Sequence, residues 1–278
     1  MSKSILNKFF DKIFVINLFD KTKRWEKVRN QFRRRRIKVE RFVAIDGRCK
    51  DQGKAGCLAK LKTFEMIYDV KIPQTRPNQK ASDKFKLKEL VPAASLTIGT
   101  ILLLRAQVKN KWKHMLICED DIELGRKIED KFKKGIKELP KDWDLLYLGC
   151  GHYCGNEGIS YDYSSKNKYE SSLNPFIGTE LYVQYKNDLR TPCDDDCEKI
   201  GKYLSVAHIP GGTWCYAYSL KGAKKLLKLL DNDAGEHIDQ LISKQTMQGK
   251  MKAYAFDPPI VMHEGGAIRA DSDIPWEW

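Results

Sequence analysis

Apolar residues fall along this chain in short blocks whose period alternates between that of a strand and that of a helix. Ile13-Phe14-Val15-Ile16-Asn17-Leu18 is a nearly unbroken apolar run of strand length, the pattern of a strand covered on both faces. From about Thr22 the period changes, and Trp25, Val28 and Phe32 recur on one helical face. Asp20 or Thr22 is available to cap that helix. Val39 to Ala44 reads as a second strand, closed by the turn Asp46-Gly47. Strand, helix and strand joined by short links predict a right-handed parallel crossover, and with it an α/β architecture of a nucleotide-binding type.

The alternation continues. Gly53 to Tyr68 can form a helix, whereas Pro73 to Leu90 is polar, Lys-rich and Pro-containing and reads as a mobile surface excursion. Leu96 to Val108 reads as a helix against the sheet, and Met115-Leu116-Ile117-Cys118 as a buried strand. A helix near Arg126 to Glu138 ends before Pro140, and Trp143 to Gly149 is another strand of the parallel sheet. Residues 150–205 show no clear period and read as loops and short strands. Gly211-Gly212 precedes a strand from Trp214 to Ser219, followed by helices over Lys221–Leu230 and near Ile238–Thr246. A strand from Lys252 to Phe256 and a loop-like tail complete the chain. There is no internal repeat.

Composition narrows the class. The 278 residues, 42% hydrophobic, can bury one large core or two small ones. The longest apolar stretch, around Ser95 to Leu104, is interrupted by Thr97, Gly99 and Thr100 and reads as too short to span a bilayer. The first residues, MSKSILNKFFDK, lack a signal-peptide pattern. The expectation is a soluble protein without a transmembrane segment, in a bacterial or virus-infected host cytoplasm. Of the net charge of +13, residues 1–60 carry +12, with 18 Lys/Arg against 6 Asp/Glu. That part is suited to anions such as a nucleotide or a peripheral anionic surface. The densest run, Arg33-Arg34-Arg35-Arg36, also suits a solvated helix end. Eight cysteines include the pairs Cys150/Cys154 and Cys193/Cys197, for which a zinc site is an alternative to unpaired thiols. Cys49, Cys57, Cys118 and Cys215 read as packed thiols, because disulfides are not expected in a reducing compartment.

The strand Met115–Cys118 ends abruptly in Glu119-Asp120-Asp121. Open α/β sheets place ligands at the carboxyl ends of their strands. Carboxylates this crowded repel one another unless a cation or proton relieves them. A hard divalent cation accompanying phosphate is the expected relief, although acids here would also suit the start of a following helix. A second acidic run, Asp194-Asp195-Asp196, follows no apolar strand and reads as a solvated loop. On these residues alone a nucleotidyl- or phosphotransferase shares the metal–diphosphate logic. A basic nucleic-acid-binding protein is the alternative from a different class, without the ordered motifs of known modules.

Six blocks in order carry a resemblance. They are Phe14–Leu18, Arg41–Gly47, Ile117–Leu124, Trp143–Gly149, Ala217–Leu227 and Ile238-Asp239, and together they resemble family 25 glycosyltransferases, which include lipooligosaccharide and procollagen galactosyltransferases. The resemblance covers about residues 12–260. It departs from the family where a Ser-His pair usually precedes the acidic strand. Neither Ser95–Thr100 nor Gly56–Leu61 contains a histidine.

What the resemblance implies is a GT-A type fold, α/β with a mostly parallel central sheet flanked by helices. It implies a single catalytic domain over 1–278, with a nucleotide-sugar half at about 12–149 and an acceptor half at about 150–278. The implied reaction is metal-dependent, inverting transfer of a hexose, galactose or glucose, from a UDP-sugar to a hydroxyl of a glycan or hydroxylated protein. A degenerate glycan-binding relative is the non-enzymatic alternative. By the same resemblance Asp121 and Asp120 would hold Mn²⁺ or Mg²⁺ against the diphosphate, with His263 as a third ligand, and Glu123 if the register shifts. Glu119 would contact ribose or brace the loop. Asn17, Leu18, Lys23 and Arg24 fall in the first strand-to-helix turn, where such a nucleotide lies. Asp239 would be the base acting on the acceptor, with Glu236 second; helix capping is the plain alternative for Asp239. Gly211-Gly212-Thr213-Trp214 could shape the acceptor side, with Trp214 stacking on a sugar or belonging to the core.

Overall fold

The computed structural model describes residues 4–73, 87–150, 198–208, 210–257 and 259–263. A short helix α1 (Ile5–Phe9) leads into β1 (Lys12–Asn17), α2 (Thr22–Arg34) and β2 (Glu40–Val43). Then come α3 (Gly53–Tyr68), α4 (Leu87–Asn110), β3 (His114–Glu119), β4 (Ile122–Leu124), α5 (Ile128–Gly135) and β5 (Leu145–Gly149). The remaining elements are β6 (Leu204–Val206), β7 (Cys215–Ser219), α6 (Leu220–Leu230), α7 (Ile238–Met247), β8 (Ala253–Phe256) and β9 (Val261–His263).

Seven described strands form one sheet in the order β2-β1-β3-β7-β5-β8-β6. β1 pairs in parallel with both β2 and β3, and β5 with β8. β7 runs antiparallel between β3 and β5, and β6 antiparallel on β8. Five strands therefore point one way and two the other: the sheet is α/β and mostly parallel in direction, but mixed. The consequence for the site is that the carboxyl end of β3 meets the amino end of β7.

Side chains alternate across these strands. On β3, Met115 and Ile117 enter one core with α3, α4, α6 and α7, while Leu116 and Cys118 enter the other with α1, α2 and α5. Val28 and Phe32 of α2 are buried in the second core, as their spacing requires.

Four expectations are corrected. α4 is much longer than the apolar stretch at its centre, starting at Leu87 and passing through Pro92. Proline lacks one donor and disfavours the helical state of its predecessor, so the polar start concealed the helix; residues 74–86 of the proposed excursion lie outside those described. Residues 90–110 are by length and composition apolar enough to cross a membrane. Here they are largely buried, packed against α3, α6 and α7. Next, neither Asp20 nor Thr22 caps α2. The cap position is Lys21, without a side-chain bond. A further short sheet, β4 with β9, stands where no strand was read after the acidic cluster and only a loop-like tail was read at the other end. Finally, Cys49 and Cys57 are not thiols but a disulfide. A 3-10 turn at Lys50–Gln52 and the start of α3 bring their Cα atoms to 5.4 Å, within bonding range. Cys150 is also disulfide-bonded, which removes it as a zinc ligand. Cys154, Cys193, Cys197 and the run Asp194–Asp196 lie outside the described residues. Cys118 and Cys215 are free, buried thiols.

α6 starts against the backbone of β5's entry. Ser219 caps it through Gly222 N–H, and a Cβ on Gly222 would lie 2.0 Å from the Asp144 carbonyl oxygen. Neither backbone can yield without moving α6. Gly222→Ala is expected to cost about 3 kcal/mol, read as a fall of roughly 6–12 °C in the calorimetric midpoint. A change of less than about 1 °C would show that the helix is free to slide.

Candidate active site

β1, β2 and β3 end on the same side of the sheet, and their loops diverge around a cavity of ≈ 150 Å³. One wall is apolar, with Phe42, Ala44, Ile45, Pro92 and Leu96. The facing wall is polar and charged: Asn17, Arg24, Glu119, Asp120 and Asp121. The loop after β2 lies tightly on α4, since a Cβ at Gly47 would sit 2.4 Å from Ser95 Oγ. An apolar slot beside a charged rim suits a flat base and a phosphate group in one ligand.

The crowding of Asp120 and Asp121 is relieved within the protein. Arg24, in the first turn of α2, reaches Asp120 Oδ1 at 3.3 Å and Asp121 Oδ2 at 3.2 Å. Buried Asn17, the last residue of β1, donates from Nδ2 to Asp120 Oδ2 at 2.5 Å and to the Lys21 carbonyl at 3.0 Å. Arg41 donates to the Leu18 and Phe19 carbonyls, 2.9 Å each, fixing the turn that carries Arg24. At the cavity mouth Arg48 binds both Asp20 and Asp46. Its hydrogen bonds hold both carboxyls below their usual range. Asp20 is thus engaged in joining two loops and not in capping a helix.

Glu119 faces the start of β7. Its N–H donates to the Trp214 carbonyl at 2.8 Å, and its Oε1 accepts from the buried Thr213 hydroxyl at 2.8 Å. One residue earlier, Gly212 at φ +71° donates its N–H to Asp239 Oδ2 at 3.1 Å. Asp239 Oδ1 accepts from Gln240 N–H at 2.8 Å. Gly212-Thr213 therefore bridges Glu119 on the β3 side and Asp239 on the α7 side. Asp239 lies in the first turn of α7, while the cap position belongs to His237. The Glu236 carbonyl accepts from Thr97 of α4 at 2.7 Å. His263 stands in β9 opposite Ile122, the residue after Asp121.

The structure thus brings Asn17, Leu18, Arg24, Glu119, Asp120 and Asp121 to one cavity. Lys23 is exposed and does not line it, because successive residues of a helix point about 100° apart. Glu123 is exposed in β4 and does not line it either. Asp239 and Glu236 do not line it, and Asp239 is joined to it through Gly212-Thr213. Trp214 is partly buried against the core on the α2 side. Sequence reasoning missed Arg48 and the apolar wall, and it placed Thr213 only within the segment Gly211–Trp214, without its bond to Glu119.

Among the described residues no group of three His, Cys, Asp or Glu side chains could hold a metal ion by itself. One or two carboxylates completed by substrate phosphates is the usual Mg²⁺ arrangement. Asp120 and Asp121 already share one cation, the guanidinium of Arg24, so the donor set fits a hard divalent ion bound together with phosphate.

A family model described as glycosyltransferase family 25 (LPS biosynthesis protein) matches residues 10–242. No curated protein sequence matches the chain. The matched span contains the whole cavity, the Gly212-Thr213 bridge and Asp239.

Proposed function

The chain belongs to glycosyltransferase family 25, and from that premise we propose that it transfers a hexose, galactose or glucose, from a UDP-sugar to a hydroxyl of a glycan or hydroxylated protein. The observation that carries this reading is the cavity, with an apolar slot on one side and Arg24, Asp120 and Asp121 on the other. In this reading the base and ribose lie against Phe42, Ala44 and Leu96, and Asn17 and Glu119 shape the polar floor. Arg24 binds the diphosphate. Asp120 and Asp121 would hold Mn²⁺ or Mg²⁺, which when bound neutralises charge on the departing diphosphate.

The acceptor hydroxyl attacks the anomeric carbon from the face opposite the leaving group, so the configuration inverts. Asp239 accepts the hydroxyl proton as the new bond forms. Its carboxylate is oriented for that role by Gly212 and Gln240 N–H groups. The departure from the family's Ser-His pair falls on α4 at the cavity wall, where Ser95 binds the Pro92 carbonyl. The lining there is provided without a histidine.

A panel of nucleotide sugars, each with and without Mn²⁺, tests the reading by thermal shift and donor hydrolysis. A UDP-sugar at 100 times its Kd in the absence of metal is expected to stabilise the protein by about 2.7 kcal/mol, and the same concentration more in Mn²⁺, where its Kd is lower. Indifference to every donor would sink the proposal.

A further inference from the structure

We propose that Arg24 is an exchangeable counter-ion: it holds Asp120 and Asp121 while no diphosphate is present, and passes to the donor's phosphates as a divalent cation takes those carboxylates. The inference rests on the donor-binding reading above and adds an order of dependence to it.

The first argument is geometric. One guanidinium spans two different carboxylates, at 3.3 and 3.2 Å, and its side chain is 20% exposed while theirs are 10% and 13%. This is a partly buried arrangement and not a rim pair, so breaking it without replacement leaves charge in a poorly screened place. Asn17 holds Asp120 from the other side, which keeps the carboxylate in place when Arg24 moves. Arg24 itself sits on the first turn of α2, adjoining the β1–α2 turn that Arg41 pins, so only its side chain needs to swing.

The second argument is charge balance. Among themselves Arg24, Asp120 and Asp121 carry one net negative charge, with Glu119, bound by the Thr213 hydroxyl, as a further carboxylate on the same cavity. A divalent ion alone would turn that into one net positive charge, with the displaced guanidinium facing the ion. A UDP-sugar alone, with two charges on its diphosphate, would leave the site strongly negative. Both together restore the original balance, and the planar guanidinium gains a bidentate partner in phosphate. Metal and nucleotide should therefore bind with positive coupling beyond what direct coordination supplies, and by linkage each strengthens the other by the same factor.

The test measures Mn²⁺ binding by calorimetry and by paramagnetic resonance, with and without UDP, and needs no turnover. In Arg24→Gln, Mn²⁺ alone is expected to bind about tenfold more tightly than in wild type, and the coupling to UDP to shrink by about the same factor. Arg24→Lys, which keeps the charge, is expected to stay within about threefold of wild type for Mn²⁺ alone. Unchanged or weaker Mn²⁺ binding in a folded Arg24→Gln, with wild type still binding Mn²⁺ and UDP together, would overturn the exchange and leave the donor reading intact. Failure of wild type to bind Mn²⁺ even with UDP would instead overturn the metal reading, and this inference with it.

Discussion

Asp239→Asn is expected to lower sugar transfer by about 10²–10⁴-fold, the usual contribution of a positioned general base, while leaving UDP-sugar affinity within about twofold. The separation follows from where Asp239 stands. It does not line the donor cavity, and its two oxygens are occupied by Gly212 and Gln240 N–H groups at 3.1 and 2.8 Å. Those bonds aim the carboxylate, and an amide of the same shape keeps an acceptor for at least one of them. What is lost is the capacity to take a proton. Single-turnover transfer and equilibrium donor binding, measured on the same preparation, separate the two effects. Full transfer by Asp239→Asn would remove it as the base. If Glu236→Gln then abolished transfer, the role would fall to Glu236, whose backbone carbonyl is tied to Thr97.

The second large effect falls on the donor side. Asp121→Ala is expected to weaken UDP-sugar binding in Mn²⁺ by at least about 100-fold, because a divalent ion contributes several kcal/mol where phosphate charge must be neutralised. The more telling readout is the ratio of affinities with and without Mn²⁺, which should fall close to one. Arg24 would retain Asp120 at 3.3 Å as a partner and remain able to meet phosphate. A residual, metal-independent affinity is therefore expected in the variant. An Mn²⁺ enhancement equal to that of wild type would exclude Asp121 as a ligand.

The elements beside the site differed in how plainly they could be read. β1, α2 and β3 were legible because their burial is decided by period: an unbroken apolar run for a strand covered on both faces, and Val28 and Phe32 four apart for one helical face. α3 was legible to its ends. α4 was not, since Pro92 stands in its second turn. Here tertiary packing overrides local preference, and residues 90–94 are all buried. β4 and β9 are three residues each and pair across about 140 positions of chain, so no local pattern announces them. The disulfide between Cys49 and Cys57 escaped for a different reason. The expectation rested on compartment, whereas the turn geometry that brings the two together is a property of the folded loop.

At the site, the acidic cluster was assigned to the donor by its place at a strand end, and Asn17, Leu18 and Arg24 by theirs in the first strand-to-helix turn, and they line one cavity. Lys23 was grouped with Arg24 because neighbours in sequence share a turn, but a helix sends them in different directions.

By itself the sequence determined that the chain is an α/β protein of this glycosyltransferase family, and that carboxylates end a buried strand beside a basic helix start. Those are consequences of local period and of ordered blocks, which need no knowledge of what lies across the fold. Only the tertiary structure decided that Arg24 answers these carboxylates and that Glu119 is tied to Asp239 through two neighbouring residues. Arg24 reaches Asp120 and Asp121 across about 100 residues of chain, and Thr213 and Gly212 tie Glu119 to Asp239. The reason is that β7 enters antiparallel beside β3, which sets its amino end against the acidic carboxyl end, a neighbourhood created by strand order and not by sequence.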